Sequence, residues 1–263
     1  MTDPWTMGEG YEPYIGRWSR RVAGEVIPWL GVRDDARWVD VGCGTGALTA
    51  TILACATPST VIGVDASEGF LATARRATSD PRARFEIGDA CALPVGDATH
   101  DVAVSGLVLN FVAEPSRMVA ELARVVVPGG TVAAYVWDYA GEMQLVRRYW
   151  DAVIALEPSA APLDEGTRFP ICNREALRAL WTGAQLANVE VRAVDVPTVF
   201  RDFDDFWTPF LGGQGPAPGY AMALDEARRV ALRERLRATL PFERDGSIAL
   251  VARAWAVRGR RAR

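Results

Sequence analysis

Apolar residues in this chain fall into short continuous runs that alternate with segments of helical periodicity. The runs have the length of strands, and several of them end at a glycine or an acidic residue. Since strands that are covered on both faces are apolar throughout, this alternation predicts an α/β domain built on a mostly parallel sheet. We expect seven strands, at about residues 38–41, 61–65, 83–87, 100–108, 131–137, 189–200 and 247–257.

The pattern changes in the second half of the chain, where helical segments dominate. Residues 141–156 and 220–240 have apolar positions at helical spacing, so each predicts one helix. Residues 157–170 are rich in proline and alanine, and residues 212–219 read GGQGPAPG, so we expect a loop at each. Residues 201–240 are then an insertion between the sixth and seventh strands, and we expect this insertion to form a helical cap.

The length of 263 residues fits one α/β domain with a modest insertion. We therefore predict a single domain with a doubly wound, mostly parallel, seven-stranded sheet of Rossmann-like type and a helical cap insertion. Residues 1–36 would form an N-terminal lid and helices, and residues 37–138 the ligand-binding core. Residues 139–263 would form the C-terminal half, with the cap at about 201–240.

Composition narrows the range of partners. The net charge is −4 and the chain has no lysine, so there is no global electrostatic case for binding nucleic acid. The four cysteines lack the paired spacing of a metal site, so we expect no metal and reduced thiols in a cytoplasmic protein. No apolar run approaches the length of a membrane span, and the N-terminus lacks the features of a secretory signal, so we expect no membrane partner.

The most informative stretch is RWVDVGCGTGAL, residues 37–48. Gly42, Gly44 and Gly46 stand at alternate positions between a predicted strand and a predicted helix, which indicates a tight turn that a ligand can approach closely. Dinucleotide sites instead use the spacing G-x-G-x-x-G. Asp40, two residues before the first glycine, would repel a pyrophosphate but suits a ligand that carries an ammonium or a sulfonium.

This G-x-G-x-G turn with its preceding acid resembles the first motif of the class I S-adenosylmethionine-dependent methyltransferases, (D/E)-x-G-x-G-x-G. Three more motifs of that family match: D-x-S-x-x-(M/F)-L at 65–71, G-D-A-x-x-L-P at 88–94 and R-V-x-x-P-G-G at 124–130. The resemblance implies S-adenosyl-L-methionine as the cofactor and methyl transfer as the reaction. Because the acceptor is not readable from the motifs, we expect only that it is a small molecule.

The resemblance also implies roles for particular residues. Asp65, at the end of the second strand, is placed to accept hydrogen bonds from the ribose hydroxyls. Phe70 would lie against the adenine ring, Asp89 would accept the adenine amino group, and the Ala90 N–H would meet a ring nitrogen. The residues that we expect to contact the cofactor are Tyr14, Arg17, Asp40, Gly42, Cys43, Gly44, Gly46, Asp65, Ala66, Phe70, Asp89, Ala90, Gly106 and Leu107.

Two further sets of residues are candidates for a lid and for the acceptor site. Tyr14 and Arg17 share a helical face with Trp18, so this segment either closes over the cofactor or packs on the core. The aromatic residues of 203–210 recur at helical spacing, so they either line the acceptor site or form ordinary core. The candidates for acceptor contact are Asn110, Trp137, Asp138, Tyr139, Phe203 and Trp207.

No residue is assigned as catalytic, because the sulfonium methyl is already activated and correct positioning can supply most of the rate. His100, the single histidine, is interpreted as a strand-edge side chain. Two alternatives from other classes stay open: a NAD(P)-dependent oxidoreductase and a non-catalytic nucleoside-binding module. A nucleic-acid methyltransferase is disfavoured, since no (D/N)-P-P-(Y/F) run follows the fourth strand. The sequence does not determine the oligomeric state.

Overall fold

The computed structural model describes residues 12–213 and 215–263. The first part of the predicted lid, residues 1–11, lies outside the described residues, as does Gln214 in the predicted glycine-rich loop. No helix among the described residues is long and apolar enough to cross a membrane.

One sheet of seven strands organises the fold, with the order β3-β2-β1-β4-β5-β7-β6. The pairs β1–β2, β1–β4, β2–β3 and β4–β5 are parallel, and Val39 in β1 lies between Ile62 of β2 and Ala103 of β4. The predicted fold class, a mostly parallel seven-stranded sheet with flanking helices, is confirmed. The strands are β1 (Arg37–Val41), β2 (Thr60–Asp65), β3 (Ala83–Ile87), β4 (His100–Gly106), β5 (Val126–Trp137), β6 (Ala187–Phe200) and β7 (Ile248–Arg260).

Helices connect most of these strands, whereas β3 is followed by β4 with no helix between them in the described part of the chain. Ser67 accepts a hydrogen bond from the Phe70 N–H and Asn173 accepts one from the Ala176 N–H, so these two side chains cap the helices that follow them. The α-helices are α1 (Arg17–Trp29), α2 (Ala47–Cys55), α3 (Glu68–Ala77), α4 (Pro115–Val125), α5 (Gln144–Leu156), α6 (Glu165–Arg168), α7 (Arg174–Gly183), α8 (Phe203–Trp207), α9 (Pro216–Ala223) and α10 (Glu226–Thr239). Short 3-10 turns span Leu109–Phe111, Pro158–Leu163 and Thr208–Gly212, and Glu12–Gly16 is a π-helical turn.

The described residues form two compact units. The sheet unit comprises Ser19–Val136, Asn173–Val194 and Ala254–Arg263. The aromatic unit comprises the described residues up to Trp18 together with Trp137–Cys172 and Asp195–Arg253. The single-domain assignment and the predicted segment boundaries at residues 36 and 138 stay predictions.

The aromatic unit has an interior of stacked and edge-on rings. Tyr149 stacks on Phe210 with ring centroids 4.4 Å apart, and Phe206 lies 5.6 Å from the same ring. The predicted aromatic face of 203–210 belongs to this interior, since Phe203 and Trp207 are only 4% and 5% exposed. This burial favours the packing alternative for that face over an open acceptor wall.

Three local predictions in the aromatic unit are wrong. Residues 157–170 are not a loop but contain a 3-10 turn and α6, because Asp164 caps α6 through the Gly166 N–H (2.9 Å) and forms an ion pair with Arg147 (2.8 Å). The sequence GGQGPAPG runs into α9, which begins at Pro216, a residue preorganised for the first helical turn. The long helix expected at 220–240 is two helices, because Asp225 caps the start of α10.

Candidate functional site

The glycine turn after β1 is held tightly against the neighbouring strands. Both the Gly42 and Cys43 N–H groups donate to the carbonyl oxygen of Val64, over 2.7 and 3.1 Å. Gly42 has φ = 74°, and a Cβ at this position would lie 2.6 Å from the side chain of Val108. Only glycine satisfies both conditions, so this turn keeps its backbone open to a ligand.

Asp65, the last residue of β2, connects the first two loops of the site. Its Oδ2 accepts from the Gly44 N–H and its Oδ1 accepts from the Ser67 N–H, each over 2.9 Å. These bonds fix the plane of the carboxylate. Since an ionised carboxylate offers about four acceptor positions, the group can still accept hydrogen bonds from a ligand.

Asp40 is fully buried in β1 just before the turn. Its Oδ2 accepts from the Thr49 hydroxyl over 2.7 Å, whereas its Oδ1 has no hydrogen-bond partner among the described residues. Burial, with a smaller contribution from the charge of Asp65, raises the pKa of Asp40 to about 7 despite the Thr49 hydrogen bond. A cation at the turn would favour the ionised form and lower this pKa.

The loop after β3 carries Asp89, whose Oδ1 accepts from the Cys91 N–H over 2.8 Å. Arg124 of α4 supports the continuation of this loop: its guanidinium donates to the carbonyl oxygens of Leu93 and Val95, over 3.1 and 2.9 Å. Glu121 completes the support by accepting from the Leu93 N–H over 2.8 Å. The arginine of the R-V-x-x-P-G-G motif therefore positions the loop that presents Asp89.

A cavity of about 340 Å³ lies at the carboxyl ends of β1, β2 and β3. Ligands of open α/β sheets bind at this edge. Of the residues predicted to contact the cofactor, Gly42, Asp65, Ala66, Asp89 and Ala90 line the cavity. The other lining residues are Val64, Gly88, Cys91, Val108, Phe111, Val112, Ala113, Glu114 and Arg117.

Residues 39–134 match the protein family described as "Methyltransferase domain". The matched segment contains the glycine turn, Asp65, Asp89 and the Arg124 support. The chain carries a class I S-adenosylmethionine-dependent methyltransferase domain. This confirms the resemblance that the four sequence motifs indicated.

Curated relatives share the methyltransferase domain over part of their length. A trans-aconitate 2-methyltransferase of Variovorax paradoxus is 31% identical over 148 residues, which is 56% of this chain and 56% of the relative. A demethylmenaquinone methyltransferase of Symbiobacterium thermophilum is 39% identical over 119 residues, 43% of this chain and 46% of the relative. The chain thus spans about half the length of these relatives.

Solved structures agree with the fold. The YcgJ protein of Bacillus subtilis aligns with a TM-score of 0.61 at 18% identity, over 92% of this chain and 99% of that one. A phosphoethanolamine N-methyltransferase 2 of Haemonchus contortus, solved in complex with S-adenosyl-L-methionine, aligns with a TM-score of 0.59 at 14% identity, over 92% and 53% of the two chains. Identities this low show the fold alone.

Several cofactor candidates of the methyltransferase domain lie outside the cavity wall. Phe70 is the clearest example, since the aromatic residue that lines the cavity is Phe111. Phe111 and its neighbours up to Arg117 were not among the predicted contacts, because the segment after β4 carries no motif. The 3-10 turn Leu109–Phe111 brings this segment to the cavity. The candidates outside the wall are Asp40, Cys43, Gly44, Gly46, Phe70, Gly106 and Leu107, and their contacts with the cofactor stay predictions.

The exit of β4 has an unusual backbone. Leu107 has φ = 63°, and its N–H donates to the carbonyl oxygen of Tyr135 over 2.8 Å. Gly106, just before it, packs on the Tyr135 ring so closely that a Cβ would overlap the phenol. Because a non-glycine residue in the left-handed region is strained, this turn must be held by its surroundings, as functional loops often are.

The two lid candidates lie inside the aromatic unit. Tyr14 is buried against Phe210, with ring centroids 5.4 Å apart. Arg17 pairs with Asp205 over 3.3 Å and places its guanidinium 4.8 Å from the centre of the Phe200 ring. Their predicted contact with the cofactor stays a prediction.

The acceptor candidates are mostly buried. Trp137, Asp138 and Tyr139 are each less than a tenth exposed, and Asp138 uses Oδ2 to accept from the Glu142 N–H over 3.0 Å. Asn110 lies in the 3-10 turn of the sheet unit, partly exposed. Their role in acceptor binding, like that of Phe203 and Trp207, stays a prediction.

His100 is the first residue of β4 and therefore lies at the end of this strand opposite to Gly106. Its Nδ1 is 2.9 Å from the Thr99 hydroxyl, and burial together with the nearby charge of Arg37 lowers the pKa of His100. No group of three or more potential metal ligands occurs in the part of the chain that the structure describes.

Proposed function

We propose that this chain transfers a methyl group from S-adenosyl-L-methionine to a small-molecule acceptor. The observation that carries the proposal is the cavity at the sheet edge, where Asp65 and Asp89 face the same space as the glycine turn. A nucleoside needs acceptors for its ribose hydroxyls and its adenine amino group, and these two carboxylates supply them.

The residues present fit the cofactor. Asp65 would hold the ribose, Asp89 and the Ala90 N–H would hold the adenine edge, and Phe111 would cover part of the ring. Asp40 has an acceptor oxygen without a partner among the described residues, and an ammonium or sulfonium is the charge that would suit it. When bound, the cofactor supplies a methyl group on a sulfonium, so this chain needs to orient the acceptor and exclude water rather than provide a nucleophile.

Relatives support a small acceptor. The curated relatives carry the names trans-aconitate 2-methyltransferase and demethylmenaquinone methyltransferase, and both names specify small organic molecules. The acidic chain, with its net charge of −4, also gives no reason to expect nucleic acid. A cytoplasmic location is part of the same proposal.

The two alternatives predict different ligands or different turnover. A NAD(P)-dependent oxidoreductase would place a pyrophosphate over the glycine turn, where the buried Asp40 disfavours it. A non-catalytic module would bind the cofactor and leave its methyl group in place. Both outcomes can be measured.

Titration calorimetry with S-adenosylhomocysteine and with NAD⁺ tests the cofactor. We expect saturable, one-to-one binding of S-adenosylhomocysteine and at least tenfold weaker binding of NAD⁺. Tighter binding of NAD⁺ would contradict the proposal. Incubation with methyl-labelled S-adenosylmethionine and a panel of amines, acids and quinols then tests turnover, and binding without any labelled product across acceptor classes would favour the non-catalytic module.

A further inference from the structure

The loop that follows β3 runs along α4 and is attached near both ends of this helix. At the N-cap of α4, the Cys91 thiol donates to the carbonyl oxygen of Glu114 over 3.6 Å. Toward the other end, Glu121 accepts from the main chain of the loop and Arg124 donates to it, over 2.8 to 3.1 Å. We name these contacts the β3–α4 seam: Cys91, Leu93 and Val95 of the loop with Glu114, Glu121 and Arg124 of the helix and its N-cap. The whole seam belongs to the sheet unit.

Both partners of the thiol contact are anchored by hydrogen bonds of the main chain. The carbonyl oxygen of Glu114 accepts from the N–H groups of Arg117 and Met118 over 3.0 and 3.1 Å, so the first turn of α4 holds it in place. The Cys91 N–H donates to Asp89 Oδ1 over 2.8 Å, which holds the cysteine against the end of β3. The loop and the helix therefore meet at a defined separation, with the sulfur between them.

The thiol at this contact stays protonated near neutral pH. Burial raises the pKa of Cys91, and the charges of Asp89 and Glu114 raise it further. A protonated thiol is a weak hydrogen-bond donor, so it can donate to a carbonyl oxygen that a thiolate would repel. The contact is therefore attractive, and it closes the gap between the loop and the start of α4.

The thiol contact forms part of the wall of the cofactor cavity. Cys91 and Glu114 both line this cavity, as do Asp89 and Ala90, which would hold the adenine edge. Since the Cys91 N–H binds the Asp89 carboxylate, the cysteine lies beside the position expected for the adenine amino group. The side chains of Glu114 and Arg117 also line the cavity, but they are 65% and 59% exposed and can turn aside. The fixed closure at the adenine end is therefore the thiol contact.

We propose that Cys91 makes the site selective for an unsubstituted adenine base, because its contact with Glu114 closes the cavity beside the adenine amino group. This inference rests on the proposed function. A substituent on the amino nitrogen would have to enter between the sulfur and the carbonyl oxygen, which are in contact. An unsubstituted adenine needs no such space. Selectivity of this kind comes from a clash with the wrong ligand rather than from added attraction for the right one.

A purely structural role for the thiol contact leads to a different result. If the contact only supports the loop, its removal would weaken the binding of every nucleoside alike, because Asp89 would be held less firmly. If the contact closes the cavity, its removal would improve the binding of a substituted nucleoside relative to that of the unsubstituted one. The ratio of the two dissociation constants therefore distinguishes selectivity from support.

Calorimetry on the full chain compares S-adenosylhomocysteine with its derivative that carries a benzyl group on the adenine amino nitrogen. We expect the wild type to bind the benzyl derivative roughly a hundredfold more weakly. Cys91→Ala removes the sulfur and should lower the ratio of the two dissociation constants by about tenfold or more. Cys91→Ser keeps a donor at nearly the same position and should keep the wild-type ratio. Cys55→Ala is the matched control, because it removes an exposed thiol at the end of α2 and should leave the ratio unchanged.

Alkylation of the wild-type thiols decides the matter if Cys91→Ala does not fold. Saturating S-adenosylhomocysteine should slow the reaction of Cys91 with N-ethylmaleimide by about tenfold or more, since the bound nucleoside would cover the thiol. The exposed Cys55 should react at an unchanged rate and serves as the internal reference. Peptide mass spectrometry measures the two rates separately.

Three results would overturn the inference: equal affinity of the wild type for both ligands, an unchanged ratio in folded Cys91→Ala, or an unprotected Cys91 thiol in the complex with S-adenosylhomocysteine. Binding of S-adenosylhomocysteine alone judges the proposed function. A wild type that does not bind it refutes the proposed function, whereas a wild type that binds it and also accepts the benzyl derivative refutes only this inference.

Discussion

Asp65 is the residue whose removal tests the cofactor site most sharply. Its carboxylate performs two tasks at once: it accepts the Gly44 and Ser67 N–H groups, which shape the two loops, and it would accept the ribose hydroxyls. Replacement by alanine removes both. Replacement by asparagine removes the charge but keeps the size of the side chain and one acceptor oxygen. A comparison of the two variants therefore separates the effect of the charge on cofactor affinity from the effect of side-chain size.

The magnitude follows from the bonds that are lost. A hydrogen bond to a charged group contributes about 1.5–3 kcal/mol net, and about 1.4 kcal/mol corresponds to a tenfold change in affinity. Loss of one ribose bond therefore predicts roughly ten- to a hundredfold weaker binding for Asp65→Ala. The two backbone bonds lie in partly exposed loops, where water can replace the carboxylate, so we expect the free energy of unfolding to fall by only about 1–2 kcal/mol.

Calorimetry with S-adenosylhomocysteine measures the affinity, and a thermal melt shows that each variant is folded. Asp34→Ala is the matched control, because this exposed acid lies in the loop before β1 and its side chain makes no hydrogen bond in the described structure. We expect the control to bind like the wild type and Asp65→Asn to fall between the wild type and alanine. An unchanged dissociation constant in folded Asp65→Ala would show that Asp65 only shapes the loops.

Three further predictions concern the buried groups. Trp207→Ala should lower the free energy of unfolding by about 3–5 kcal/mol, because the indole is 5% exposed; chemical denaturation measures this, and a loss below about 1 kcal/mol would reopen the acceptor-wall alternative. Burial of Glu165, with a smaller contribution from the charge of Asp164, raises the pKa of this carboxyl to about 7, above its unfolded value of 4.5, despite the hydrogen bond from the Trp150 indole. The stability that protonation of Glu165 contributes is therefore complete below about pH 4.5 and is lost as the pH rises through 7. The free energy of unfolding of Glu165→Gln should depend less on pH between these values than that of the wild type. The same pH dependence in both proteins would contradict the raised pKa. Asp40, with a pKa of about 7 in the free protein, should release a proton when a cationic cofactor binds, so binding enthalpies at pH 6.5 should differ between buffers of different ionisation enthalpy; equal enthalpies would contradict this.

The sheet unit was predictable because its signals are local. The signals are the apolar runs, the spacing of the three glycines of the turn, and the acids near the carboxyl ends of β1, β2 and β3. All of them act through neighbouring residues. The wall formed by Phe111 and its neighbours was not predictable, because these residues approach the cavity through a short turn that no periodicity marks.

The aromatic unit was harder to predict because distant contacts decide its local structure. The ion pair between Arg147 and Asp164 joins residues 17 positions apart, and it stabilises a helix in a segment whose proline and alanine content indicates a loop. The aromatic residues of 203–210 show a helical face in either alternative, so only their burial distinguishes core from acceptor wall. Glu165 had no sequence signal at all, since a single acid near a proline-rich stretch is typical of an exposed loop.

A crystal structure with S-adenosylhomocysteine tests the central claim most directly. We expect the nucleoside to lie in the cavity at the carboxyl edge of the sheet, with both ribose hydroxyls donating to Asp65. The adenine edge should lie against Asp89 and the Ala90 N–H, with its ring covered by Phe111. A nucleoside bound elsewhere, or one whose ribose turns away from Asp65, would contradict the assignment of this cavity as the cofactor site.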